Sequence, residues 1–142
     1  MYKLTLTVNS VIENLDESGL PDGDPEINIF TTDGTLRLYD SDFIITFKEE
    51  SEGQITHSQI TVSESFVSLT KRGAIESDML FEEGKTTKTL YRVGPYAFDM
   101  HLTTKRIRSS VGEEGGELQL IYSMNIGGQD KNVRMKITAK RK

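Results

Sequence analysis

Apolar and polar residues alternate with a period of two along much of the chain. In segment 2–8 the even positions are apolar and the positions between them are polar. The same alternation recurs in segments 43–47, 96–103, 118–126 and 133–139. Side chains of a β-strand point alternately to its two faces, so each segment predicts a strand with one buried face. Since no stretch of ten residues shows the spacing of an amphipathic helix, the pattern predicts an all-β protein.

Clusters of turn-forming residues separate these segments. They fall at residues 16–25, 32–34, 40–42, 49–53, 83–84, 94–95, 112–116 and 127–130. Glycine adopts positive φ, and Asp or Asn bonds to nearby backbone, so such clusters reverse the chain. Their spacing predicts about eight to ten short strands joined in sequence as hairpins.

A meander of this many strands has two unpaired edges unless it closes on itself. Closure into a barrel removes both edges, and one apolar face per strand suits a single interior. We therefore predict a closed or nearly closed antiparallel meander barrel that forms one domain over residues 1–142. An open sandwich of two sheets is compatible with the same alternation and is the alternative.

Composition narrows the function classes. The 142 residues include 17 basic and 22 acidic side chains and no cysteine. Without cysteine there is no disulfide framework, thiolate nucleophile, iron–sulfur cluster or zinc ribbon. No apolar run exceeds three residues, whereas a membrane helix needs about 20, and the N-terminal segment lacks the apolar core of a signal peptide. We therefore expect a cytoplasmic protein without membrane insertion.

Several strand-and-turn motifs occur in an order that resembles a known family. They are Gly34–Leu38, Phe43–Glu49, Lys71–Gly73, Met79–Gly84, Tyr91–Tyr96, His101–Thr104 and Gly116–Tyr122. Together they resemble the YwiB-like family of small bacterial proteins, a domain of unknown function whose members fold as calycin-like, or lipocalin-like, β-barrels. The resemblance covers nearly the whole chain and implies a barrel in a bacterial cytoplasm. It implies no activity, because none is assigned to the family.

Four tyrosines, Tyr2 among them, share the predicted inward face with apolar residues. A buried tyrosine hydroxyl needs a hydrogen-bond partner, and barrels of eight or more strands can enclose one small ligand. We therefore predict a non-enzymatic binding module for a small apolar or amphipathic ligand with an acidic head group. The candidate ligand-binding residues are Tyr91, Tyr96 and Tyr122, with Arg72 and Arg92 at the rim. The alternative is that the inward residues fill the barrel as a packed core.

Basic residues are concentrated in the second half of the chain. Residues 1–70 carry 3 basic and 13 acidic side chains, whereas residues 71–142 carry 14 and 9. Basic residues near the last strands would, if adjacent in space, form a stripe able to bind nucleic acid or another anionic surface. Its candidate residues are Lys105, Arg106, Arg108, Arg134 and Lys136. Edge protection is the more usual role of lysine on a terminal strand, so this is the less favoured function.

Motifs for catalysis or metal binding are scarce. The chain has no nucleophile elbow and no glycine-rich phosphate loop, and His57 and His101 are predicted to face solvent. Acidic residues in segment 22–33 match part of a calcium-loop spacing, but Ile27 stands where that loop requires glycine, and residues 26–30 alternate as a strand. We therefore predict no catalytic residue, metal or cofactor, and an enzyme is the least favoured class.

Overall fold

The chain folds as a closed ten-stranded antiparallel β-barrel. The computed structural model describes residues 1–142. Its strands are β1 (Tyr2–Asn14), β2 (Glu26–Tyr39), β3 (Asp42–Ser51), β4 (Gln54–Val62), β5 (Val67–Gly73), β6 (Ile75–Phe81), β7 (Thr86–Val93), β8 (Tyr96–Ser109), β9 (Gly115–Ile126) and β10 (Gln129–Arg141). Each strand pairs with the next, and β1 closes the barrel by pairing with β10. The predicted meander barrel is confirmed, and the open sandwich is wrong.

The two ends of the barrel differ in how their interiors are filled. We call the end that carries the connections β1–β2, β3–β4, β5–β6, β7–β8 and β9–β10 the open end, and the other the packed end. Toward the packed end, inward side chains such as Leu6, Phe81 and Leu118 are completely buried. Inward residues nearer the open end, such as Ile12 and Met124, are only partly buried. No segment is a helix with the length and hydropathy that crossing a membrane requires.

Residues 32–34, predicted to form a turn, lie inside β2 instead, so this prediction is wrong. Gly34 pairs with Leu4 of β1 and with Phe47 of β3. A Cβ atom at Gly34 would lie 2.6 Å from the Leu6 Cδ1 atom and 2.6 Å from the Thr46 carbonyl oxygen. Glycine is therefore needed here for close approach of neighbouring chains rather than for a chain reversal.

Beyond Gly34 the strands β2 and β3 separate. Residues 34–39 of β2 pair with residues 42–47 of β3. The preceding part of β2 pairs only with β1, and the following part of β3 pairs only with β4. The barrel wall therefore has a lateral opening between residues 26–33 and 48–51, which we call the β2–β3 notch. At its narrow end the Thr32 hydroxyl donates a hydrogen bond of 3.3 Å to the Lys48 carbonyl oxygen.

Candidate ligand-binding cavity

The interior toward the open end is hollow. It forms a cavity of about 1190 Å³ between the core and the open end. Its lining includes Tyr122, whose ring packs edge-on against the buried Phe81 with ring centroids 4.9 Å apart. Small-molecule sites usually occupy roughly 300–1,000 Å³. The cavity is therefore large enough for a ligand of that class.

One wall of the cavity is mostly apolar, and its polar residues are Ser10, Gln129 and Lys131. It is formed by β1, β8, β9 and β10, whose lining side chains include Val8, Ile12, Met100, Met124, Ile126, Met135 and Ile137. Three of these are methionines, whose unbranched and polarisable side chains adapt to irregular shapes. This wall can therefore pack against apolar ligand bodies of more than one shape.

The opposite wall carries a cluster of polar and charged side chains. Glu49 of β3, Lys71 of β5, Ser77 of β6 and Tyr91 of β7 all line it. The Lys71 Nζ atom lies 3.6 Å from the Glu49 Oε1 atom, and these side chains are only 19% and 24% exposed. An ion pair so far removed from water has a large desolvation cost, which further hydrogen bonds reduce. The pair therefore places two partly buried, opposite charges on this wall.

Two serine hydroxyls on this side of the barrel lack hydrogen-bond partners. Ser58 and Ser77 pair with Lys71 from the strands on either side of it. Both Oγ atoms are buried and make no hydrogen bond. A buried polar atom without a partner costs about 1–3 kcal/mol. Of the two serines only Ser77 lines the cavity, so the polar wall has one unused hydrogen-bonding hydroxyl beside the ion pair.

The two tyrosines of the cavity have raised pKa values. Burial raises the pKa of Tyr91, and the negative charge of Glu49 raises it further. Burial also raises the pKa of Tyr122 far above its ordinary value, with a smaller contribution from Tyr91. Both hydroxyls are therefore neutral near pH 7, where they can donate hydrogen bonds.

The candidate tyrosines are separated by the structure. Tyr91 and Tyr122 line the cavity. Tyr96, predicted to face inward, is 66% exposed at the first position of β8 and does not line the cavity. It lies at the open end, beyond the part of the interior that neighbouring strands enclose. The inward prediction for Tyr96 is therefore wrong.

The candidate arginines also lie outside the cavity, contrary to their predicted place at its rim. Arg72 is exposed, and its guanidinium donates a hydrogen bond of 2.8 Å to Asp78. Arg92 is exposed on β7. Successive side chains of a strand face opposite sides, so Lys71, the residue before Arg72, faces the cavity, which Lys48 and Lys131 also line. A signal for the Lys71–Glu49 ion pair exists in the sequence. Lys71 lies two residues after Leu69, and Glu49 lies two residues after Phe47, so each charged residue shares a strand face with an apolar one.

The predicted basic stripe is largely assembled on the outside of the barrel. Four of its candidates lie on the strands that flank β9: Arg106, Arg108, Arg134 and Lys136. They pair with Ile121 and Gln119 of that strand. Lys136 lies 3.5 Å from Glu117, which reduces its free charge, and Lys105 lies at a β-bulge. The stripe is therefore a small group of basic residues around a partly buried isoleucine.

The remaining candidates are surface residues. His57 and His101 are exposed, as predicted. Residues 26–30 of the acidic segment belong to β2, which confirms their interpretation as a strand. No three His, Asp or Glu side chains lie close enough together to hold a metal ion.

Comparison with known proteins agrees with this architecture. Residues 17–138 match the family model described as "Domain of unknown function (DUF1934)". The chain is 28% identical over 130 residues to the "Uncharacterized beta-barrel protein YwiB" of Bacillus subtilis (strain 168), covering 92% of this chain and 87% of that protein. The crystal structure of the ywiB protein from Bacillus subtilis matches with a TM-score of 0.87 at 27% identity, covering 99% of this chain and 92% of that one. These matches confirm the resemblance, and the chain belongs to the DUF1934 family.

Proposed function

We propose that the protein is a non-enzymatic binding module that holds one small apolar or amphipathic ligand inside the barrel. The observation that carries the proposal is the cavity of about 1190 Å³ with an apolar wall facing a polar one. Apolar cavities with a few convergent polar groups are the usual form of small-molecule sites. The Ser77 hydroxyl lines the cavity without a hydrogen-bond partner, so it can donate to a bound ligand.

The two walls define the chemistry of the ligand. Its apolar body would lie on the methionine-rich wall, and its polar group would meet Lys71 and Glu49. Since Lys71 donates hydrogen bonds and Glu49 accepts them, the best polar group has both an acceptor and a donor. A protonated carboxylic acid, an amide and an alcohol have this property. The acidic head group expected from the sequence is thus replaced by a neutral group that both donates and accepts hydrogen bonds.

Filling the cavity tests this proposal. Ser10 lines the cavity on β1, so Ser10→Trp places a large ring in the hollow. We expect it to weaken binding of the neutral fluorescent probe N-phenyl-1-naphthylamine by about tenfold or more, or ~1.4 kcal/mol. Its melting temperature should be unchanged or higher, because a ring that fills a void strains nothing. Ser123→Trp on β9, outside the cavity lining, is the matched control and should bind the probe as the wild type does.

Two outcomes would contradict the proposal. The first is the absence of saturable probe binding to the wild-type protein. The second is loss of stability in Ser10→Trp with unchanged probe binding, since a ring added to a solid core forces neighbouring side chains apart.

The alternative function is binding of an anionic surface or nucleic acid by the basic stripe. The observation that favours it is the register, which places Arg106 and Arg134 on either side of Ile121. Phosphate contacts would make such binding strongly salt-dependent. Retention of the double variant Arg134→Glu/Lys136→Glu on heparin or RNA, compared with the wild type at two salt concentrations, tests it. Equal retention of the two proteins removes this alternative.

A further inference from the structure

The cavity lining has a different pattern on β2 and β3 from that on the other strands. On β1, β8 and β9 only alternate residues line the cavity, as expected for a closed wall seen from inside. On β2 and β3 the lining residues are consecutive: they are residues 28–32 and 47–51. Consecutive residues can border a cavity only where the edge of a strand, rather than its face, is turned toward it. The interior is therefore exposed through the β2–β3 notch.

A depression on the outer surface of the barrel borders the narrow end of the notch. This outer groove has a volume of about 630 Å³ and runs over β2 to β5. Thr32, Phe47 and Lys48 line both the outer groove and the cavity. These three residues lie at the narrow end of the notch, where the Thr32 hydroxyl bonds to the Lys48 carbonyl oxygen. The cavity and the outer groove are therefore bordered by the same three residues at this point of the wall.

The borders of the notch suit the passage of an apolar group. Ile29 lines the cavity and is 62% exposed, and Ile55 lines it and is 47% exposed. Large exposed apolar side chains beside an opening lower the free energy of an apolar group as it leaves water. Glu49 lies just inside the opening, so the polar wall begins where the notch ends.

We propose that the β2–β3 notch is the entrance through which an apolar or amphipathic ligand reaches the cavity, its apolar end first. This inference rests on the proposed function. The polar group, entering last, stops beside the notch at Glu49 and Lys71. Ligand entry and exit then require that residues 26–33 of β2 and 48–51 of β3, on the two sides of the notch, remain free to move apart.

A covalent bridge across the notch tests the entrance. The β2–β3 register, continued past Gly34–Phe47, sets Thr31 opposite Glu50, and both side chains are exposed. The chain has no cysteine, so bismaleimidoethane reacts only with the engineered pair in Thr31→Cys/Glu50→Cys. The matched control is Thr86→Cys/Thr103→Cys, a facing pair on β7 and β8 whose hydroxyls are 2.7 Å apart. Circular dichroism before and after bridging checks the fold.

The measurement is stopped-flow association and dissociation of N-phenyl-1-naphthylamine. We expect bridging at 31 and 50 to slow both rates by about tenfold or more with little change in affinity, because the cavity itself is intact. The bridge at 86 and 103 should change neither rate. Unchanged rates in the bridged 31–50 protein would place the entrance at the open end and overturn the inference. If the unmodified protein does not bind the probe, the proposed function fails and the entrance fails with it.

Discussion

Lys71 and Glu49 form a partly buried ion pair in the lining of the cavity. The Lys71 Nζ and Glu49 Oε1 atoms are 3.6 Å apart, and about four fifths of the Lys71 side chain and three quarters of the Glu49 side chain are buried. On the neighbouring strands Lys71 is flanked by Ser58 and Ser77, whose hydroxyls have no hydrogen-bond partner. Removing one member of such a pair leaves a charge in poorly hydrated surroundings. The pair therefore contributes to stability, and under the proposed function it would also select the ligand.

Lys71→Met should destabilise the protein. Because Glu49 would lose its partner inside the cavity, we expect the free energy of unfolding in urea to fall by about 1–3 kcal/mol, between the values for surface and fully buried pairs. Lys85→Met, which removes the exposed Lys85–Glu82 pair, is the control and should change it little. The double variant Glu49→Gln/Lys71→Met should recover part of the loss. If Lys71→Met lowers the free energy of unfolding no more than the control does, the Lys71–Glu49 pair is as well hydrated as a surface pair.

Tyr122 should make the protein sensitive to alkaline pH. Its pKa is raised in the folded state by burial, so above the ordinary tyrosine pKa of about 10 the unfolded chain loses a proton that the folded chain keeps. The free energy of unfolding should therefore fall as pH rises above 10, by up to about 1.4 kcal/mol per pH unit for this group.

Tyr122→Phe should remove this part of the decline, whereas Tyr39→Phe, at a tyrosine that is 62% exposed, should not. Urea unfolding curves between pH 9 and pH 12 provide the measurement. Identical slopes in Tyr122→Phe and the wild type would contradict the burial of this hydroxyl.

At the residue scale, the sequence located part of the cavity and missed its charges. Tyr122 could be predicted because it alternates in phase with Leu118 and Leu120, whereas the in-phase residues before Tyr91 are threonines. The sequence points to Arg72 rather than Lys71, because a shift of one residue reverses the face of a strand and the correct face depends on strand pairing. Glu49 falls in a predicted turn, because its neighbours are turn-forming residues. The extension of β3 to Ser51 depends instead on pairing with β4.

The strands illustrate which elements local patterns can predict. Alternation was sufficient for β1, β8, β9 and β10, whose inward residues are apolar along most of their length. The sequence predicts a turn within β2, because Thr32-Asp33-Gly34 is a turn-like sequence in isolation. What keeps it extended is pairing with β1 across residues 26–36, an interaction between distant parts of the chain. The notch follows from the same long-range geometry, and no local signal marks it.

Gly34 is where the geometry of these strands is most sensitive to substitution. Gly34→Ala would put a Cβ atom 2.6 Å from both the Leu6 side chain and the Thr46 carbonyl oxygen, so β2 would have to move. We expect a loss of about 1–3 kcal/mol in the free energy of unfolding, typical of overpacking. Gly112→Ala, where nothing lies within 4 Å of the added atom, is the control. Equal effects of the two substitutions would show that β2 can shift there without strain.

At the scale of the whole molecule, closure of the barrel could be predicted and its hollow could not. Ten strands with one apolar face each have few arrangements that bury every face, and a closed barrel is one that leaves no edge. The size of the cavity depends on strand tilt, on the separation of β2 from β3 and on how side chains fill the interior. None of these quantities is encoded in a local pattern, so the sequence alone does not distinguish a hollow barrel from one with a packed core.

The most direct measurement of the central claim is native mass spectrometry of the protein purified from the organism that encodes it. If the barrel holds one small ligand, the wild type should carry a single adduct of defined mass in a ratio of one to one. The Ser10→Trp variant, purified in the same way, should lack the adduct, and Ser123→Trp should retain it. An adduct retained by Ser10→Trp, or a wild-type protein that carries none and does not bind N-phenyl-1-naphthylamine, would contradict the account.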